Sequence, residues 1–143
     1  PRPVGQSLFD KNLILEVLIS GFFCAFLIFF CWYYLINIRN CNIVIARGYI
    51  LTLMVFIQNL HVLNCMSEEK SIFKISLKKN PFIIFSILIS IILHVLFMRV
   101  PILSRILQTE PISFNNLLGL FIIVIPILIV MELYKTIRFY RSK

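Results

Sequence analysis

Long apolar runs and short polar stretches alternate along the chain, and four of the apolar runs are long enough to matter. The first goes from about residue 13 to 36, broken only by Glu16 and a Ser20-Gly21 pair near its start. Asn37-Ile38-Arg39-Asn40-Cys41-Asn42 then turns the chain, and a second run covers about 43 to 65. It differs from the others in carrying Arg47, Gln58, Asn59, His61 and Asn64. A polar segment, Ser67 to Asn80, leads to Pro81, which suits the first turn of a helix because the donor it lacks would be unpaired there. The third run spans about 81 to 98, a loop with Pro101 and Pro111 follows, and the fourth covers about 114 to 134 with Pro126 in its middle. Each run approaches the ~20 residues that cross a hydrocarbon layer of about 30 Å as a helix. The pattern predicts an all-α membrane protein, one unit over residues 1–143 with four transmembrane helices.

Composition agrees on the solvent. Hydrophobic residues make up 60% and charged residues 14% of 143, too apolar for a domain that must hide its greasy surface in its own core. The net charge of +8 raises the question of nucleic acid, but the basic residues lie between the apolar runs and form no basic face, so no nucleic-acid partner is expected. Their distribution speaks about topology. Arg2, Lys11, Lys70, Lys74, Lys78, Lys79, Lys135, Arg138, Arg141 and Lys143 fall on one side, against Arg39, Arg47, Arg99 and Arg105 on the other. The positive-inside rule therefore places both termini in the cytoplasm. Trp32, Tyr33, Tyr34, Tyr49, Tyr134 and Tyr140 sit near the ends of the runs, where a ring with a polar edge fits the headgroup layer.

Cys24, Cys31, Cys41 and Cys65 show no Cys-x-x-Cys spacing, which predicts neither a disulfide framework nor a zinc site. The first run is too long for the core of a secretory signal peptide and has no small-residue cleavage site after it. Pro1-Arg2-Pro3 lacks an initiator Met, so the chain is expected to start inside something larger.

Polar positions in the second run carry the candidate chemistry. Gln58, His61 and Asn64 with Cys65 recur at helical spacing and are expected to share a face. Polar side chains at membrane depth are costly unless they meet a partner or a wet cavity. Two readings stay open: hydrogen bonding between helices, at about 0.6 kcal/mol per bond, or part of an ion path. Glu132 lies three residues before Lys135, a spacing that suits an intrahelical ion pair, and Glu16 is read as an interfacial residue. His94, alone in the third run, reads as hydrogen-bonded packing, and Pro126 as a kink in the fourth. No Gly-rich phosphate loop, no His-Glu-x-x-His and no nucleophile with a base at a familiar spacing occurs, so this chain alone is expected to have no catalytic residues and no enzymatic activity.

Ala46-Arg47 and, further on, Asn64, Ser67, Glu68 and Ser71 resemble the eighth transmembrane helix and following cytoplasmic loop of type II cation-transporting P-type ATPases. Pro1-Arg2-Pro3 is similar to the segment before that family's seventh helix, and Pro126, Glu132 and Lys135 have the spacing of a Pro, a Glu and a Lys in the last helix of its calcium pumps. The resemblance covers nearly the whole chain as helices seven to ten. It implies a membrane domain that supports the ion-binding helices of an ATP-driven cation pump, with calcium as the expected ion and the plasma membrane as the expected location. At the place where the calcium pumps present a carboxylate to the ion, this chain has Gln58, a possible cation ligand that brings an oxygen but no charge; His61 also departs from the family's Asn. Partners implied are the remaining helices and cytoplasmic domains of the same pump, the transported cation and the bilayer. ATP and Mg²⁺ would bind in the intact pump and no cofactor in this chain, which lacks the family's phosphorylated Asp-Lys-Thr-Gly-Thr. The alternative is a self-contained four-span protein acting as a small channel, scaffold or assembly factor.

Overall fold

A computed structural model describes residues 11–65 and 80–141. The motif residues Pro1 to Pro3, Ser67, Glu68 and Ser71 lie outside the described residues. The elements in chain order are α1 (Lys11–Tyr33), a π-helical turn (Tyr34–Ile38), α2 (Ile43–Cys65), α3 (Pro81–Arg99), α4 (Pro101–Leu107) and α5 (Phe114–Arg141). Among the described residues, four helices are long and apolar enough to cross a membrane, over Ile14–Ile38, Ile43–Cys65, Pro81–Arg99 and Phe114–Ile137. Four crossings put the two termini on the same side.

Local chemistry sets the boundaries. The first span ends in the wider π turn, where the Arg39 N–H reaches the Tyr34 carbonyl at 2.9 Å. Asn40 then takes a left-handed conformation (φ 49°), which its short polar side chain tolerates, and reverses the chain. Asn42 caps α2 by accepting the Val44 N–H at 2.9 Å through Oδ1. Pro81 and Pro101 each open a helix at its first turn. The stretch read from sequence as a plain loop after the third span therefore contains a short helix, because Val100 goes extended before Pro101 and the chain starts again. The expected kink at Pro126 leaves α5 a single helix from Phe114 to Arg141, although the proline removes one backbone bond.

Packing centres on α2, which touches α1, α3 and α5. On α5 the buried positions are Leu120, Val124, Ile127, Met131 and Lys135, spaced four, three, four and four apart. On α2 Ala46, Leu53, Ile57, Leu60 and Asn64 follow the same rhythm. Alternating threes and fours make a narrow seam, the geometry of helices that cross at a shallow angle with side chains interdigitated. Phe56 adds an edge-to-face contact with Phe121, centroids 5.8 Å apart. Away from the seam the helices turn apolar side chains outward, including Phe22, Phe26 and Phe30, one turn apart on α1.

At the end of the seam remote from the termini, Gly48 lets the loop before α5 lie against α2. A Cβ there would stand 2.9 Å from the Glu110 carbonyl oxygen and 3.0 Å from the end of Met98. Arg47 bonds Gln108, and Asn116 bonds the Tyr49 hydroxyl, closing the same end. Gly48→Ala is expected to destabilise the protein by about 1–3 kcal/mol through overpacking. Gly119→Ala, where nothing lies within 4 Å, should leave stability unchanged or slightly raised; thermal unfolding in detergent compares the two.

Candidate functional site

The polar residues of α2 do not act together. Thr52 and Asn59 turn toward α3. The Thr52 hydroxyl donates to the Gly48 carbonyl at 2.9 Å and lies 2.9 Å from His94 Nε2, so His94 is bound into the α2–α3 contact. Asn59 Nδ2 donates to the Val55 carbonyl at 2.9 Å and to Ser90 Oγ at 3.2 Å. The contacts with His94 and Ser90 are interhelical glue, and with the bonds inside α2 they answer the cost of polar groups at membrane depth.

The expected stripe of Gln58, His61 and Asn64 spreads over a wide arc of α2. Steps of three residues advance 300° around a helix, so its first and last members point 120° apart. Gln58 is exposed, His61 is half-buried, and Asn64 is 1% exposed inside the seam. His61 Nε2 lies 3.6 Å from the Cys65 sulfur one turn on. No described residue bonds the Gln58 amide. The side-chain Oδ1 and Nδ2 of Asn64 also meet no hydrogen-bond partner among the described residues. Gln58 thus faces away from this bundle while Asn64 faces α5.

Where Asn64 meets α5, a lysine crosses the seam. Lys135 is 4% exposed and its Nζ donates to the Asn64 main-chain carbonyl at 2.7 Å. That carbonyl belongs to the last turn of α2, whose four final acceptors have no partner within the helix. A lysine is the donor that both satisfies such an acceptor and suits the negative end of the helix dipole. Glu132 from α5, Glu16 from α1 and Cys65 from α2 interact with Lys135 electrostatically. Glu16, read from sequence as interfacial, is only 7% exposed. Three helices thus meet at one charged cluster on the side of the termini. From sequence, Lys135 pairs with Glu132 three residues earlier on the same helix. Spacing along α5 carries no sign of the bond to α2, which follows from Lys135 lying four residues after Met131 on the face that α5 buries.

With that geometry in view, comparison with known proteins is informative. The model of a family described as "Cation transporting ATPase, C-terminus" matches residues 1–137. The chain belongs to that family. "Calcium-transporting ATPase type 2C member 1" of Homo sapiens is 32% identical over 147 residues, covering 100% of this chain and 16% of that protein. A "Calcium-transporting ATPase" of Plasmodium falciparum is 31% identical over 93 residues, 65% of this chain and 7% of that protein. "Calcium-transporting ATPase 2, endoplasmic reticulum-type" of Arabidopsis thaliana is 28% identical over 87 residues, 61% and 8% respectively. The chain thus spans a small part of the length of these relatives. As a cation-transporting ATPase C-terminal domain it is an integral, multi-pass membrane unit, and the resemblance read from the sequence holds.

In this family domain, Lys135→Met removes one partner from a buried charged cluster and leaves the Asn64 carbonyl without its donor. The expected loss is about 3–5 kcal/mol. Asn64→Leu keeps the carbonyl and replaces an amide with unpartnered atoms, so it should be neutral or stabilising. Thermal unfolding of the intact protein distinguishes them, and a Glu16→Gln, Lys135→Met cycle should give a coupling of at least ~1 kcal/mol.

Proposed function

We propose that this chain is the membrane support of an ATP-driven calcium pump, bracing the ion-binding helices of the same protein and lending one cation ligand, Gln58. The exposed Gln58 amide carries the reading. It sits within the second span on a face with Met54, Val62 and Cys65, none of them covered by the described residues. An unpaired amide in hydrocarbon costs roughly 2–7 kcal/mol, so this face calls for a polar partner or an ion. Helices supplied by the remainder of a much longer pump fit that need, and the calcium-transporting relatives suggest the ion.

The chemistry asked of Gln58 is small. Its carbonyl oxygen is a hard donor that Ca²⁺ accepts at 2.3–2.6 Å, and as a neutral ligand it adds reach without charge. Thr52, Asn59 and Lys135 would hold α2 against α3 and α5, so that the oxygen stays in place while other parts of the pump move. ATP and Mg²⁺ would act in cytoplasmic domains beyond this chain. Bracing in this sense is positional: a ligand on a fixed helix lets the rest of the site open and close around it.

Gln58→Ala in the intact pump should raise the Ca²⁺ concentration for half-maximal phosphorylation about tenfold, equivalent to ~1.4 kcal/mol. Unchanged affinity and stoichiometry would reduce Gln58 to interhelical bonding. The plasma membrane is the expected location, and surface biotinylation of the intact pump checks it against retention in internal membranes.

A further inference from the structure

The short helix α4 is firmly held and strongly apolar on one side. Ile102 and Ile106, one turn apart, are 71% and 73% exposed, and no residue of the helix is buried. Two isoleucines left in water at the edge of a membrane protein would forgo most of the 1.5–3 kcal/mol each that burial offers.

Their direction is fixed. Gln108 adopts a left-handed conformation (φ 50°) and its N–H closes the helix on the Arg105 and Ser104 carbonyls; the Thr109 N–H adds a bond to Ser104 at 3.0 Å. Arg47 on α2 bonds Gln108, and the chain that follows lies against Gly48. The start of α4 is tied directly to the end of α3 through Val100. The apolar face is therefore part of the built structure. It follows along the chain directly on the end of α3, where Leu93, Leu96 and Phe97 are exposed. Arg99 closes α3, and Arg105 lies about 60° around α4 from Ile102; both are exposed. An apolar strip flanked by cations at a span end has the composition of a segment that lies in the plane of a bilayer surface.

We infer that α4 is an interfacial anchor. Ile102 and Ile106 enter the boundary between headgroups and acyl chains in the leaflet opposite the termini, and Arg99 and Arg105 pair with lipid phosphates there. This rests on the four spans and not on the identity of the transported ion. The occupant is phospholipid, because α4 starts where the exposed end of a membrane span stops and has two exposed cations beside its isoleucines.

Photocrosslinking tests it directly. p-Benzoylphenylalanine is placed at position 106 of the intact membrane protein, which is reconstituted in phosphatidylcholine vesicles containing one-fifth phosphatidylglycerol and irradiated. The peptide bearing residue 106 should gain the mass of a phospholipid. The ratio of phosphatidylglycerol to phosphatidylcholine among the adducts should exceed that of the vesicle roughly fivefold, the selectivity expected of a basic residue at an anionic surface, and Arg99→Gln with Arg105→Gln should abolish that excess. Crosslinks to another segment of the protein, or no lipid adduct at all, would overturn the anchor; an excess that survives the double substitution would overturn the role of the arginines. The same label at position 102 repeats the test on a separate protein, so a misfolded 106 variant leaves the question open to measurement.

Discussion

The bond from Lys135 to the main-chain carbonyl of Asn64 is the constraint around which this bundle is arranged. Lipid tails are as apolar as leucine, so the hydrophobic effect that joins helices in water contributes little between spans. Close packing and polar bonds must do that work. Here the α2–α5 seam packs Leu53, Ile57 and Leu60 against Leu120, Val124, Ile127 and Met131, and its two ends are tied. Lys135 closes one, and the Gly48 approach with the Arg47–Gln108 bond closes the other. A seam fixed at both ends resists sliding, because any shift along the axis breaks a bond at one end before packing can recover.

From that constraint the division of α2 follows. Its inner side belongs to α5, its flank to α3 through Thr52 and Asn59, and the remaining side carries Gln58 outward. In the proposed role a cation ligand must keep its position through the pump's motions, and a helix bonded on two sides suits that. The outward-facing amide and the membership in a cation-transporting ATPase family point the same way.

The spans and their ends were legible in the sequence because twenty apolar residues between polar turns have one economical explanation in a bilayer. The seam was not. Leu120, Val124 and Ile127 face protein while Leu118, Ile122 and Ile129 face outward, and these residue types are indistinguishable by polarity. Periodicity needs contrast, and lipid removes it. Polar residues restored some contrast on α2 and drew notice to Gln58, His61 and Asn64, but spacing alone could not say that Asn64 would face inward and Gln58 outward. For Lys135 the limit is different: spacing pairs it with Glu132 on its own helix and says nothing of a neighbouring one. Only the facing carbonyl of α2 shows that this lysine is a tie between helices. Helix α4 escaped notice because prolines at 101 and 111 suggest a loop, although Pro101 is at the one helical position where proline fits well.

A structure of the intact pump with its transported cation bound tests the central claim most directly. The expected result places Gln58 Oε1 within 2.3–2.6 Å of the ion, on a face of α2 covered by helices from elsewhere in the pump. A Gln58 side chain turned to lipid, or covered by protein but remote from any ion, would contradict it.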